Sequence, residues 1–298
     1  MSNAMRSPAE WTGLLLPGAL LLALAGFLVV QSGLLPLSRR WQTTIISAPP
    51  TVTVPARVYS YRLDGDYQRG GRSIDAPLRI GPHEALEIMT YQVSEADYAL
   101  CVAEGACEQA EPRRKGEGNV PVTGVNFTDA ESYAVWLSAR TGSHWRLPTS
   151  AEWAFAAGSK ATDPALGIEG DNPADRWIAF YEKQAALGQN ALATPQALGS
   201  FGVNEYGVAD LAEAVWEWTA TCDSRTSVDA AGITVSQLQS CGVRLLEGRH
   251  RTAMSFFVRD SIAGGCSAGA PPDNLGFRLV RERVWIETIA SWLSPSAR

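Results

Sequence analysis

The chain has 298 residues, 46% of them hydrophobic, and ten are Trp. That is enough apolar material for one large core or two small ones. A formal net charge of −6, with no basic stripe interleaved with aromatics, excludes nucleic acid as the expected partner.

Residues 11–38 carry no charge and exceed the roughly 20 residues needed to cross a bilayer. The apolar region of a cleaved signal peptide would be only about 7–15 residues long. The stretch is therefore read as an uncleaved transmembrane anchor, in which Pro17, Gly18 and Gly26 are tolerated, with residues 1–10 as a cytoplasmic N-terminus. The charges beside it disagree with the cysteines. Arg39 and Arg40 outnumber Arg6, so a positive-inside count points the rest of the chain inward. Closely spaced cysteines suit an oxidising compartment. Given more weight, they predict a single-pass inner-membrane protein with its C-terminal domain in the periplasm.

Residues 39–55 hold three Pro and read as an extended linker. Arg57-Val58-Tyr59-Ser60-Tyr61-Arg62-Leu63 alternates as a strand does, and Asp64-Gly65 supplies a turn. Residues 88–93 give a second strand. Ser94 caps a helix with Asp97 at its third position. The basic run Arg113-Arg114-Lys115 reads as a solvated loop. Thr128 is expected to cap a longer helix, with Glu131 completing a capping box. Ala130, Tyr133, Ala134 and Leu137 form its apolar face, and Gly142 ends it. As a helix cap, Thr128 also accounts for the formal glycosylation sequon Asn126-Phe127-Thr128. Thr149 and Glu152 form another capping box, before a short helix that buries Trp153, Ala156 and Ala157. Residues 158–202 lack periodicity and read as long loops with short helical turns. Residues 284–298 read as an amphipathic tail that packs back on the domain, lies on the membrane or binds a partner, packing being the plainest reading.

Five cysteines are present. Cys101 and Cys107 are expected to form one disulfide. Cys222 and Cys241, bracketing a surface-like insertion, are expected to form another. Cys266, in a Gly-rich loop, is then left over as an inert thiol, a reactive thiol, or a substitute for one of the four.

Four segments in order resemble the formylglycine-generating enzyme, or sulfatase-modifying factor, family. The first is Pro121-Val122-Thr123-Gly124-Val125-Asn126-Phe127-Thr128-Asp129-Ala130. The second is Arg146-Leu147-Pro148-Thr149-Ser150-Ala151-Glu152-Trp153. The third runs from Asn204-Glu205-Tyr206-Gly207-Val208-Ala209-Asp210 to Trp216-Glu217-Trp218-Thr219. The last is Gly276-Phe277-Arg278-Leu279-Val280. The resemblance implies one α+β domain over residues 56–283, related to C-type lectins, with much irregular chain. Arg146, Thr149, Glu152, Trp153, Trp216, Trp218, Gly276, Phe277 and Arg278 are its signature positions.

The same resemblance locates the chemistry. Active members hold copper(I), a soft ion suited to thiolates, with a cysteine pair upstream of the Gly-Phe-Arg motif. Counting back places those positions near His250 and Ser255. No cysteine lies between Cys241 and Cys266, so copper and formylglycine-generating oxidation are not expected. A second branch uses iron bound by three histidines. His83, His144 and His250 lack the spacing for that, and His144 reads as structural. Arg259, Asp260 and Arg278 are expected to form one ion-pair lattice beneath a vestigial groove. The cofactor the resemblance does carry over is calcium, held by the side chains of Asp210 and Glu217 and the carbonyls of Leu211, Glu213 and Val215. Such oxygen donors suit a hard cation. Glu213-Ala214 replaces the family's Gly-Asn in that loop.

Three functional readings follow. The first is a membrane-anchored periplasmic accessory or maturation factor that binds a partner polypeptide without oxidising it. On the segments Asp75-Ala76-Pro77-Leu78, 101–107, 241–251 and 264–278 it resembles the NirV-type members that accompany copper nitrite reductases in denitrification. The second is an oxidoreductase with a different metal site at His250, Met254 and Cys266, where Cys266, His250 and Ser255 are the candidate catalytic residues. The third is a lectin-like ligand-binding module.

Overall fold

The computed structural model describes residues 46–168, 172–188, 194–213, 215–260 and 274–282. The chain divides into two units, Met1–Thr44 and Ile45–Arg298, and every described residue belongs to the second. The expected anchor at 11–38, the tail at 284–298 and Cys266 lie outside the described residues. Among the described residues no helix is long and apolar enough to cross a membrane.

Twelve strands and four α-helices are described, an α+β architecture. One sheet joins β1 (Thr51–Val54), β6 (Leu86–Met89), β12 (Val280–Glu282) and β7 (His144–Arg146), in that order and antiparallel throughout. A two-stranded ribbon pairs β2 (Arg57–Arg62) with β5 (Leu78–His83). The largest sheet runs β10 (Thr252–Ser255), β9 (Thr234–Glu247), β8 (Trp216–Val228), β3 (Asp66–Arg69), β4 (Arg72–Ile74). Its long axis is the β8–β9 hairpin. Parallel to β8, β11 (Leu275–Gly276) pairs at its start and β3 near its end.

The helices are α1 (Glu95–Ala103), α2 (Phe127–Thr141), α3 (Ser150–Ala157) and α4 (Pro173–Gly188). Ser94 caps α1 by accepting from the Asp97 amide. Thr149 and Glu152 cap α3 reciprocally. Gly142 ends α2 with φ 70°, the left-handed conformation glycine adopts without a Cβ clash. Tyr98 of α1, Tyr133 and Trp136 of α2, and Phe277 pack into one apolar core with Trp218 and Leu246. A second core gathers Trp153 and Phe155 of α3 with Val54, Ile88, Val208 and Leu211.

Both expected disulfides are present. Cys101–Cys107 closes the loop after α1, and Cys222–Cys241 crosses β8 and β9. The segment they were expected to bracket as an insertion is the outer half of this hairpin.

Four expectations are corrected. The linker contains β1, whose four residues pair with β6. The second strand is Leu86–Met89 and stops before Gln92, where the backbone turns to bond other loops: Ala209 N donates to Thr90 O and Val93 N to Phe277 O. The α2 cap is Asn126, not Thr128. Asn126 Oδ1 accepts from Asp129 N, and Asp129 Oδ2 accepts from Asn126 N. Residues 158–202 include a 16-residue helix, α4, which starts where Asn172 Oδ1 accepts from Ala174 N and Pro173 takes the first helical position.

The cap correction gives a direct test. Asn126→Ala should cost about 1 kcal/mol of stability in urea denaturation, the usual worth of an N-cap. Thr128→Ala, at an exposed position, should stay within about 0.5 kcal/mol of the parent. The reverse order would restore Thr128 as the cap.

Candidate functional site

The last-named motif buries a charge. Arg278 is completely inaccessible, as is Glu217 on β8. Arg278 Nε donates to Glu217 Oε2 at 2.6 Å and Nη2 to Oε1 at 2.7 Å. Trp153 Nε1 and Gln92 Nε2 each donate to the same carboxylate at 2.8 Å. The rest of the guanidinium is met by the carbonyls of Thr90 at 3.1 Å and Ala209 at 2.9 Å. Both ions are saturated with partners, which lets such a pair persist in an apolar interior.

This geometry bears on calcium. Asp210 Oδ1 and Oδ2 accept the backbone amides of Phe201 and Gly199. Glu213 O accepts from Arg249 Nε, and its carboxylate lies 3.5 Å from Lys160 Nζ. Leu211 and Val215 are buried in the core. Asp210 and Glu217 meet only through Gln92, whose Nε2 donates to Asp210 O and to Glu217 Oε1. Protein donors hold both carboxylates of the expected calcium set, and Arg249 holds the Glu213 carbonyl. Among the described residues no group of three or more His, Cys, Asp or Glu is placed to hold a metal ion.

The positions counted for the cysteine pair fall around β10. His250 is buried and its ring lies edge-on to Trp216, with centroids 5.5 Å apart. Its backbone oxygen accepts from Trp216 Nε1. Its Nδ1 finds no partner among the described residues. Burial lowers its pKa to about 4, and Lys183 and Arg249 add to the effect. Met254 packs in the core with Trp218 and Leu246. Ser255 is partly buried opposite Val243. Cys266, the third member of the alternative metal site, lies outside the described residues.

Beside β10 opens a cavity of about 720 Å³. Arg251, Thr252 and Ala253 line one side, α4 the other through Arg176, Trp177 and Phe180, and Tyr67, Ile74, Asp66 and Asp223 complete the wall. Arg176 is held by Asp75 at 2.7 Å. Burial raises the Asp223 pKa, and the nearby Asp66 charge raises it further. At the cleft floor Arg251 Nε donates to Glu247 Oε1 at 2.7 Å, and its Nη1 lies 3.3 Å from Asp64. The guanidinium covers the Tyr61 ring, and the Tyr61 hydroxyl donates to Asp64. Burial holds Glu247 above the usual carboxylate range, although Arg251 opposes it.

The single lattice expected of Arg259, Asp260 and Arg278 is instead separate contacts. Arg259 grips Asp129 at 2.7 and 2.8 Å and Glu111 at 2.7 Å, tying the chain after β10 to the start of α2. Asp260 pairs with Arg113 at 3.8 Å. Arg278 belongs to the Glu217 pair. Among the other signature residues, Arg146 bonds Glu152 at 2.6 and 2.7 Å, and Gly276 has no room for a Cβ, which would lie 2.6 Å from Val122 O. His144 is exposed and pairs with Glu282 at 2.8 Å. Sequence reasoning missed Gln92, the Asp64–Glu247–Arg251 cluster and the α4 wall. Of these only α4 had a local signal, Asn172-Pro173.

A profile of the sulfatase-modifying factor enzyme 1-like domain matches residues 41–283, and the chain belongs to that family. The formylglycine-generating enzyme of Mycobacterium tuberculosis is 33% identical over 188 residues, covering 55% of this chain and 58% of that protein. The inactive C-alpha-formylglycine-generating enzyme 2 of Mus musculus is 30% identical, covering 53% and 48%. The hercynine oxygenase of Mycolicibacterium smegmatis is 35% identical, covering 35% and 22%. The chain spans about half the length of the formylglycine-generating relatives it matches. Among solved structures, PvdO from Pseudomonas aeruginosa is 20% identical with a TM-score of 0.47, covering 79% of this chain and 95% of that one.

Two outcomes follow from the buried ions. Glu217→Gln leaves the Arg278 charge without its counter-ion and should destabilise the protein by about 3–5 kcal/mol in urea. His250 has a folded pKa of about 4 against an ordinary 6.5. The unfolded chain therefore takes up the proton first, and stability falls as pH drops from about 6.5 towards 4, by roughly 3 kcal/mol. In His250→Gln that part of the pH dependence should disappear; an unchanged profile would show that another group governs it.

Proposed function

We propose that this chain is a non-oxidising member of its family, anchored in the inner membrane, that holds an extended segment of a partner polypeptide in the cleft between β10 and α4. The observation that carries the reading is the composition of the cleft's β10 wall. The segment where active members resemble this chain but hold copper(I) on two thiolates contains no cysteine, and Arg251 there is tied to Glu247 and Asp64. A hard, filled ion cluster is a poor host for a soft metal. A cleft of about 720 Å³ with aromatic walls remains beside it, large enough for side chains of a bound peptide. The similarity to an inactive relative supports the same reading.

The periplasmic placement rests on the uncharged stretch 11–38 and on the two disulfides. The NirV-type resemblance is what supports proposing a periplasmic copper enzyme of nitrite reduction as the partner, with this protein as its accessory or maturation factor. Calcium is not required on this reading, because Arg278 supplies the positive charge beside Glu217. Adding a calcium chelator should leave the melting temperature unchanged, whereas a drop reversed by calcium would restore the metal.

The catalytic test uses copper-loaded full-length protein and a sulfatase-type cysteine peptide. No aldehyde should be detected by mass. A clear product, lost on Cys266→Ser, would replace this reading with the oxidoreductase one.

A further inference from the structure

The outer half of β9 is an open sheet edge. Beyond Gly242 towards the hairpin turn, β9 pairs with β8 on one side, and among the described residues nothing pairs on the other; the β10 ladder stops at Ser255 opposite Val243, with one further bond from Phe256 N to Gly242 O. Every residue from 231 to 242 is exposed, with Ile233, Val235 and Leu238 at 65%, 70% and 73%. An edge strand presents alternate N–H and C=O groups outward, and proteins guard such edges with charge, proline or bulges. Residues 230–243 contain neither a charged residue nor a proline. The ladder irregularities fall between Ser227 and Val228, where Val235 is the extra residue, between Cys222 and Asp223, and between Trp218 and Cys222. Between the first two, Ser236 to Ser240 run in regular register against Ser227 to Asp223. The Cys222–Cys241 disulfide braces the base of this stretch, so little further ordering is needed for it to act as a template.

The stretch is also palindromic: Ser236-Gln237-Leu238-Gln239-Ser240. An antiparallel two-fold contact centred on Leu238 sets Leu238 opposite its own copy. It also sets Gln237 opposite Gln239 and Ser236 opposite Ser240, each in both directions. A two-fold interface requires this kind of self-complementarity. Amides face amides, hydroxyls face hydroxyls, and no like charges meet. A partner with an alternating or charged strand would not match a five-residue palindrome as completely as a second copy does.

We infer that this chain forms a two-fold dimer by edge-to-edge pairing of β9 centred on Leu238, joining two six-stranded sheets into one. The inference does not depend on how the cleft is used.

The experiment is sedimentation equilibrium of the full chain in detergent, with crosslinking of variants that each carry one added cysteine by substitution. The parent should show a reversible dimer. Leu238→Glu, which sets two like charges face to face, should weaken the dimer at least tenfold with unchanged circular dichroism and melting temperature. Ile233→Glu, outside the palindrome, should keep the dimer. Under mild oxidation Leu238→Cys should give a covalent dimer, because facing positions in antiparallel strands are about 4.5–5.5 Å apart at Cα. Gln237→Cys, which faces Gln239, should crosslink far less. A parent that stays monomeric would overturn the proposal and leave the edge to a strand from another protein. A dimer indifferent to Leu238→Glu, or equal crosslinking at 237 and 238, would overturn it too.

Discussion

The buried pair Arg278–Glu217 organises this structure. Removing an ion pair from water costs several kcal/mol per ion, and the loss is offset only when geometry and further hydrogen bonds are nearly ideal. Here they come from segments far apart in the chain: Trp153 from α3, Gln92 after β6, the Ala209 carbonyl from the loop before β8, and Thr90 beside the first sheet. Three of the four motif segments meet at this point, and Val122 of the first segment, the remaining one, packs against Gly276 next door. The order and spacing of the motifs thus describe what is needed to complete one buried ion pair. Loosening any one segment would leave a charge without its partners, so the irregular chain between the motifs is held without long helices.

From that point the sheet carries position outward. β8 is buried at its base, where Glu217 sits and β11 runs alongside. From Arg225 to Val228 it pairs with β3 instead. The Cys222–Cys241 bridge lies where the hairpin leaves the core, and Arg244 covers the Phe127 ring at 4.1 Å while donating to Ala220 O. The cleft forms alongside this transition, with one wall on the rigid sheet and the other on α4. Asp75 joins the two walls, accepting from Arg176 and from the amides of Leu166 and Gly167.

Local signals made much of the frame legible. Thr149 with Glu152, Ser94 with Asp97, and the cysteine pairs each act over a few residues, so the sequence displays them directly. Asn126 was hidden because two cap frames overlap there, Asn126 with Asp129 and Thr128 with Glu131. What favours the first is Arg259, which grips Asp129 from far along the chain. β8 shows no clean alternation because both faces of its base are buried, and outer β9 shows none because all of it is exposed. The site was less legible for a related reason. Glu247 and Arg251 are four apart, a helical spacing, yet they sit at the end of a strand, and Asp64 and Tyr61 reach them through the tertiary fold.

The frame and the chemistry are therefore separable in this fold. The buried pair is Glu217 with Arg278, whereas the positions to which the resemblance assigns metal chemistry fall at β10 and the turn before it. Changing that segment leaves the central pair intact. In this chain the turn is not vacant: Arg251 neutralises Glu247 and Asp64 and stacks on Tyr61, and His250 is buried neutral against Trp216. An arginine so held adds order where a thiolate pair would have added reactivity. On the proposed reading, that exchange is what turns an oxidase cleft into a surface for holding a polypeptide.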